Sequence, residues 1–109
     1  MIVRIWRGWT SRVNADAFEL RVRTHAPTLA RSSGFGGMRL LRIDGDTESE
    51  FVTLTTFDSL DDVKAFAGVD YTSAVIPEAL RSLIARVEPV VGHYSVRVDQ
   101  HPPDSTSPL

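Results

Sequence analysis

Residues 38–57, MRLLRIDGDTESEFVTLTTF, hold two apolar runs separated by Asp44-Gly45-Asp46. An Asp-Gly turn between β-branched and aromatic runs is a strong hairpin signal. Val52, Leu54 and Thr56 alternate with Phe51, Thr53, Thr55 and Phe57. That period of two predicts a strand over 50–57, with its partner over 38–43. Strands joined by so tight a turn are antiparallel, and the chain is therefore built on an antiparallel sheet.

Working outward, Gly34-Phe35-Gly36-Gly37 forms a turn into this hairpin. Before it, Asn14 is a candidate N-cap, with Asp16 and Glu19 in a first turn where the helix dipole favours acids. Phe18, Val22, His25 and Leu29 follow at helical spacing and make one buried stripe. Pro27 has no N–H for the carbonyl of Arg23, which predicts a kink or break just after His25. Residues 2–10 read as a strand with Ile2, Arg4, Trp6 and Gly8 on one face and Val3, Ile5, Arg7 and Trp9 on the other.

After the hairpin, Ser59-x-x-Asp62 is a capping signal for a helix whose inner face is Leu60, Val63 and Phe66, closed by Gly68. A further helical piece starts near Pro77, buries Leu80, Leu83, Ile84 and Val87, and stops at Pro89. Residues 90–98 read as the last strand, and 99–109 as a disordered tail. The order is βαββαβ, an α+β, ferredoxin-like arrangement in a single domain over 1–98. Helices cover one face of such a sheet. Either register leaves Trp6 or Trp9, together with Met38 and Leu40 or Leu41 and Ile43, on the other face. A second copy packed sheet to sheet is the simplest cover, which predicts a homodimer.

Composition narrows the function. A chain of 109 residues, 42% hydrophobic and 24% charged, is one globular unit. A net charge of −2 gives no support to nucleic-acid binding. The absence of cysteine removes thiolate, iron–sulfur and cysteine-rich zinc chemistry. Arg4 and Arg7 interrupt the apolar N-terminus, which reads as neither leader nor anchor, and no run is long enough to cross a bilayer. A cytoplasmic location without membrane contact is expected.

The runs Ile5-Trp6-Arg7-Gly8-Trp9-Thr10, Gly34-Phe35-Gly36-Gly37-Met38 and Phe51-Val52-Thr53-Leu54-Thr55-Thr56-Phe57-Asp58-Ser59 resemble the antibiotic biosynthesis monooxygenase superfamily, as do Asp70-Tyr71-x₄-Ile76-Pro77 and His93-Tyr94. The resemblance spans nearly all of residues 1–98 and implies a dimeric α+β barrel. Its members include cofactor-independent oxygenases of aromatic polyketides, quinol oxidases and haem-degrading enzymes. The haem-degrading members use an asparagine, a tryptophan and an axial histidine at positions that carry Trp6, Phe57 and Val75 here. The resemblance therefore points away from haem, and no cofactor or metal is expected. It implies an aromatic polyketide or quinol-type substrate, with O2 where the reaction is oxidative, and places Trp6 and Phe57 against a cavity between sheet and helices.

Among the candidate residues, His25 stands first, since imidazole exchanges a proton near neutrality and one side of the stripe faces that cavity. It serves equally well as a structural histidine bonded to the carbonyl that Pro27 frees. Of His93 and Tyr94, one points toward the helices and the other toward the second copy. Either could bond a substrate oxygen or be a satisfied residue at the boundary. Tyr71 could gate the cavity or simply pack on the second helix, and Trp6 could be a wall or plain core. The Asp44-Asp46-Glu48-Glu50 cluster lacks the spacing of a calcium loop. The readings are a cofactor-independent monooxygenase, a non-oxidative cyclase or isomerase on the same scaffold, and a non-catalytic small-molecule-binding dimer.

Overall fold

The hairpin forms as the alternation predicts and is longer at both ends. In the computed structural model, which describes residues 1–74 and 76–103, β2 runs Phe35–Asp44 and β3 Glu48–Phe57. The turn closes through Gly45 N–H donating to the Glu48 carbonyl at 2.7 Å. The first strand, β1 (Ile2–Ser11), pairs antiparallel with β3 along its whole length, Trp6 opposite Thr53 and Gly8 opposite Phe51. Helix α1 (Ala15–Leu29) follows β1, and α2 (Leu60–Ala67) follows β3. Ser59 caps α2 as its spacing predicts, its Oγ accepting from the Asp62 N–H at 3.2 Å.

Two expectations are corrected. Helix α1 continues through Pro27, which lies in its last turn and forfeits only one late hydrogen bond. The second helical piece is only α3 (Glu78–Arg81), and Ile84–Val87 is a strand, β4, paired with β1. The Ile84 and Val87 side chains suit a pleated surface, and the free edge of β1 supplies hydrogen bonds that a longer helix would have left unmade. A last strand, β5 (Gly92–Ser95), pairs with the other end of the same edge and is shorter than the expected 90–98. Between them the chain leaves β1. Pro89 has no N–H to give, its carbonyl accepts from Ala74, and Val91 N–H donates to the Thr72 carbonyl. Together β4 and β5 act as one broken strand, and the sheet is antiparallel in the order β2-β3-β1-β4, with β5 beside β4 on β1. Residues 96–103 form no helix or strand, and 104–109 lie outside the described residues.

The register fixes the faces. Arg4, Trp6, Gly8, Thr53, Thr55, Met38, Leu40 and His93 face the helices, and Val3, Ile5, Trp9, Val52, Leu54, Leu41, Ile43 and Tyr94 face away. The core lies on the helix side, where Ala15, Phe18 and Phe51 are fully buried and Trp6, Val22, Leu40 and Leu80 pack around them. Gly34 seats the start of α2. Its φ is +71°, and a Cβ there would lie 2.1 Å from Asp62 Oδ2. Gly34→Ala is expected to lower stability by about 1–2 kcal/mol from the left-handed backbone alone, and by more once the clash with Asp62 is added. Urea unfolding midpoints measure this directly.

Candidate active site

Between α1, the α2–α3 segment and the sheet lies a cavity of about 490 Å³. Strand residues Arg4, Trp6, Met38, Thr53 and Thr55 form its floor, α1 supplies Phe18, Val22 and His25, and Phe66, Ile76 and Leu80 complete the lining. Its shape follows from one aromatic stack. The Trp6 ring lies over Gly8, where a Cβ would come within 2.5 Å of its Cη2. It stacks on Phe18 at 6.0 Å and 13°, and Phe18 rests on Phe51 at 4.6 Å. The glycine lets the indole fold down along the strand, so the indole forms a wall of the cavity instead of filling it. His25 and Phe66 both line the cavity and are both exposed, marking its mouth. Among the described lining residues, His25 carries the one imidazole.

The floor holds a group that sequence reasoning missed. Arg4 is only 7% exposed. Its Nη1 donates to the Tyr71 carbonyl at 2.6 Å and to His93 Nε2 at 2.9 Å. Arginine cannot accept a hydrogen bond, so Nε2 must be the acceptor, and His93 is neutral with its proton on Nδ1. Burial, and secondarily the Arg4 charge, hold the His93 pKa below its ordinary value. Burial likewise lowers the pKa of the Arg4 guanidinium, which stays charged. The signal available in the sequence was the alternation that sets Arg4 on the Trp6 face of a two-sided apolar strand.

The depressed His93 value has a consequence for stability. The unfolded chain takes up this proton near pH 6.5 and the folded one only at lower pH, so the contribution is whole above 6.5 and is lost as pH falls through the folded value. Unfolding midpoints should fall from pH 7 to pH 5. His93→Gln, which keeps an acceptor for Arg4 but cannot titrate, should flatten that part of the profile.

The expected site residues separate into three places. Trp6 and His25 meet at the cavity. His93 and Tyr71 stand behind Arg4, with the Tyr71 ring edge-on to the His93 ring at 5.2 Å and beneath the Lys64 ammonium. Phe57 is on the cavity side of the sheet but fully buried against Phe35 and Phe66, so it supports the cavity without facing it. Tyr94 is corrected: alternation from His93 puts it on the opposite face, 60% exposed, away from the cavity. Val75 lies outside the described residues. Arg86, expected on a helix, is on β4, where its guanidinium covers the Trp9 ring at 3.9 Å. The acidic cluster is engaged by arginines: Glu50 with Arg7, Glu48 with Arg86 and Asp44 with Arg42. No metal-binding group of acids and histidines occurs among the described residues.

No protein-family model and no curated protein matches this chain. Solved structures do. A variant of SnoaB, a cofactor-independent oxygenase from Streptomyces nogalater, is 25% identical with a TM-score of 0.63, over 94% of this chain and 98% of that one. MhuD, a haem-degrader from Mycobacterium tuberculosis solved with two haems in its active site, is 21% identical with a TM-score of 0.64, over 93% and 100%. A protein assigned as an antibiotic biosynthesis monooxygenase from Nitrosomonas europaea is 18% identical with a TM-score of 0.67, over 90% and 100%.

Proposed function

We propose that this chain, which has the antibiotic biosynthesis monooxygenase fold, is a cofactor-independent monooxygenase-like enzyme acting on an aromatic polyketide or quinol-type substrate. One observation carries the reading: a cavity of about 490 Å³ whose aromatic wall, Trp6 stacked on Phe18, matches a flat polycyclic ligand, with His25 at its mouth. His25 takes a proton from the substrate. The electron-rich anion passes one electron to O2, and the radical pair joins to a peroxide that loses water. For an anthrone-type methylene, one oxygen atom ends in the quinone carbonyl and the other in water. The apolar walls keep bulk water from the reactive oxygen species.

The reading assigns no haem. At the strand position compared with the haem-contacting asparagine, Trp6 is committed to its stack over Gly8, and His93 Nε2 is engaged by Arg4. Titration with haem should leave its Soret band unshifted. The same base and cavity would serve a cyclase or isomerase, so dependence on oxygen separates the two. With metal and flavin removed, an anthrone or naphthol should be consumed together with O2. Consumption at an undiminished rate under argon assigns the non-oxidative reaction instead, and no consumption with tight binding assigns a binding protein.

The open sheet face belongs to the same reading. Leu41, Ile43 and Tyr94 are 46%, 68% and 60% exposed there, around half-buried Val3, Ile5, Val52 and Leu54. A second copy covers this apolar face, making the enzyme a homodimer. Light scattering should give twice the chain mass, and Ile43→Glu should give one. No helix among the described residues is long and apolar enough to cross a membrane, and we place the dimer in the cytoplasm, without a nucleic-acid partner.

A further inference from the structure

Resting on the reading that the cavity is the substrate site, we propose that the substrate is bound as an aromatic anion, with its ionised oxygen seated against the guanidinium of Arg4. A charged side chain more than nine-tenths buried in an apolar wall is costly unless it is neutralised. Here it is not. Among the described residues Arg4 forms no ion pair, and its two acceptors, the Tyr71 carbonyl and the neutral imidazole of His93, carry no charge. Phe66 lies 5.9 Å from the guanidinium carbon, at the outer limit of the cation–π range. The acids engaged with arginine are held elsewhere: Asp16, Glu19 and Asp44 by Arg42, Glu19 also by Arg23, Glu50 by Arg7, Glu48 by Arg86 and Glu78 by Arg81.

The geometry of the two bonds gives the vacancy a direction. Both use the N–H groups of Nη1, and Nε–H and the two N–H of Nη2 remain. Among the described residues no buried side-chain nitrogen lacks a partner, so the unbonded Nε and Nη2 are not sealed in the interior, and Arg4 is a lining residue of the cavity. Nε and Nη2 form the edge of a guanidinium that takes an oxyanion in two parallel hydrogen bonds. His93 and the Tyr71 carbonyl grip the other side and fix the fork, which makes His93 a positioning residue for Arg4. Charge and shape together then define the ligand: a flat ring system against Trp6, bearing a phenolate, enolate or carboxylate oxygen that points to the floor. An oxygen held there loses its proton more readily, since the anion is the form that Arg4 favours.

The test compares matched probes by calorimetric titration. One pair is 2-hydroxy-1,4-naphthoquinone, ionised at neutral pH, and its neutral 2-methoxy analogue. The other is 2-naphthoate and its methyl ester. Each anion should bind roughly tenfold or more tightly than its neutral partner, Arg4→Gln should erase the difference, and Arg4→Lys should keep part of it. A preference confined to the quinone pair assigns a ring oxygen, and one confined to the naphthoate pair assigns a carboxylate. Equal affinities within both pairs overturn the anion seat while leaving the cavity as a binding site. Failure of all four probes to bind overturns both. The comparison on the unaltered protein decides the matter even if Arg4→Gln does not fold.

Discussion

His25→Ala should lower turnover of an anthrone-type substrate, whose methylene proton faces the mouth when its oxygen sits on the floor, by about 10²–10⁴-fold, the usual contribution of a positioned general base. The loss should fall on kcat and leave KM nearly unchanged, because His25 stands at the mouth while Trp6, Phe18 and Arg4 hold the ring and its oxygen. The substitution is benign for the fold. His25 is exposed on α1, and alanine is the best helix former, so stability should hold within about 0.5 kcal/mol. Added imidazole should restore part of the rate. Unchanged turnover would remove His25 from the chemistry.

Phe51→Ala should be the most damaging truncation for stability, at about 3–5 kcal/mol. Phe51 is fully buried in β3 opposite Gly8, and its ring supports Phe18, which in turn supports Trp6. For a domain near this size the loss corresponds to a melting temperature lower by roughly 12–30 °C. Ligand affinity should fall with it, since the cavity wall rests on the emptied position. Phe66→Ala is the control: with Phe66 46% exposed, its cost should be much smaller. Melting curves on the two variants separate core support from cavity lining.

Local patterns were legible wherever neighbours in the chain decide the structure. The Asp44-Gly45-Asp46 turn, the Ser59 cap and the alternation of residues 2–10 each rest on contacts within a few positions, and each reappears in the fold. The fourth strand was not legible. Leu80, Leu83, Ile84 and Val87 carry helical spacing, and the free edge of β1 that recruits Ile84–Val87 lies far away in sequence. Pro27 misled for a different reason: its penalty depends on how much helix follows it, and only one short piece does. At the site, alternation said that His93 and Tyr94 part company, but only pairing with β1 shows that His93 turns inward. Arg4 stayed hidden because its partners are 67 and 89 residues away. Alone it reads as a charge that interrupts an apolar segment.

Labelled oxygen tests the central claim most directly. The metal- and flavin-free protein, given an anthrone under ¹⁸O2, should release a quinone carrying one ¹⁸O atom, with the second label in water. A product formed without label, or formed equally fast without oxygen, would contradict the oxygenase reading.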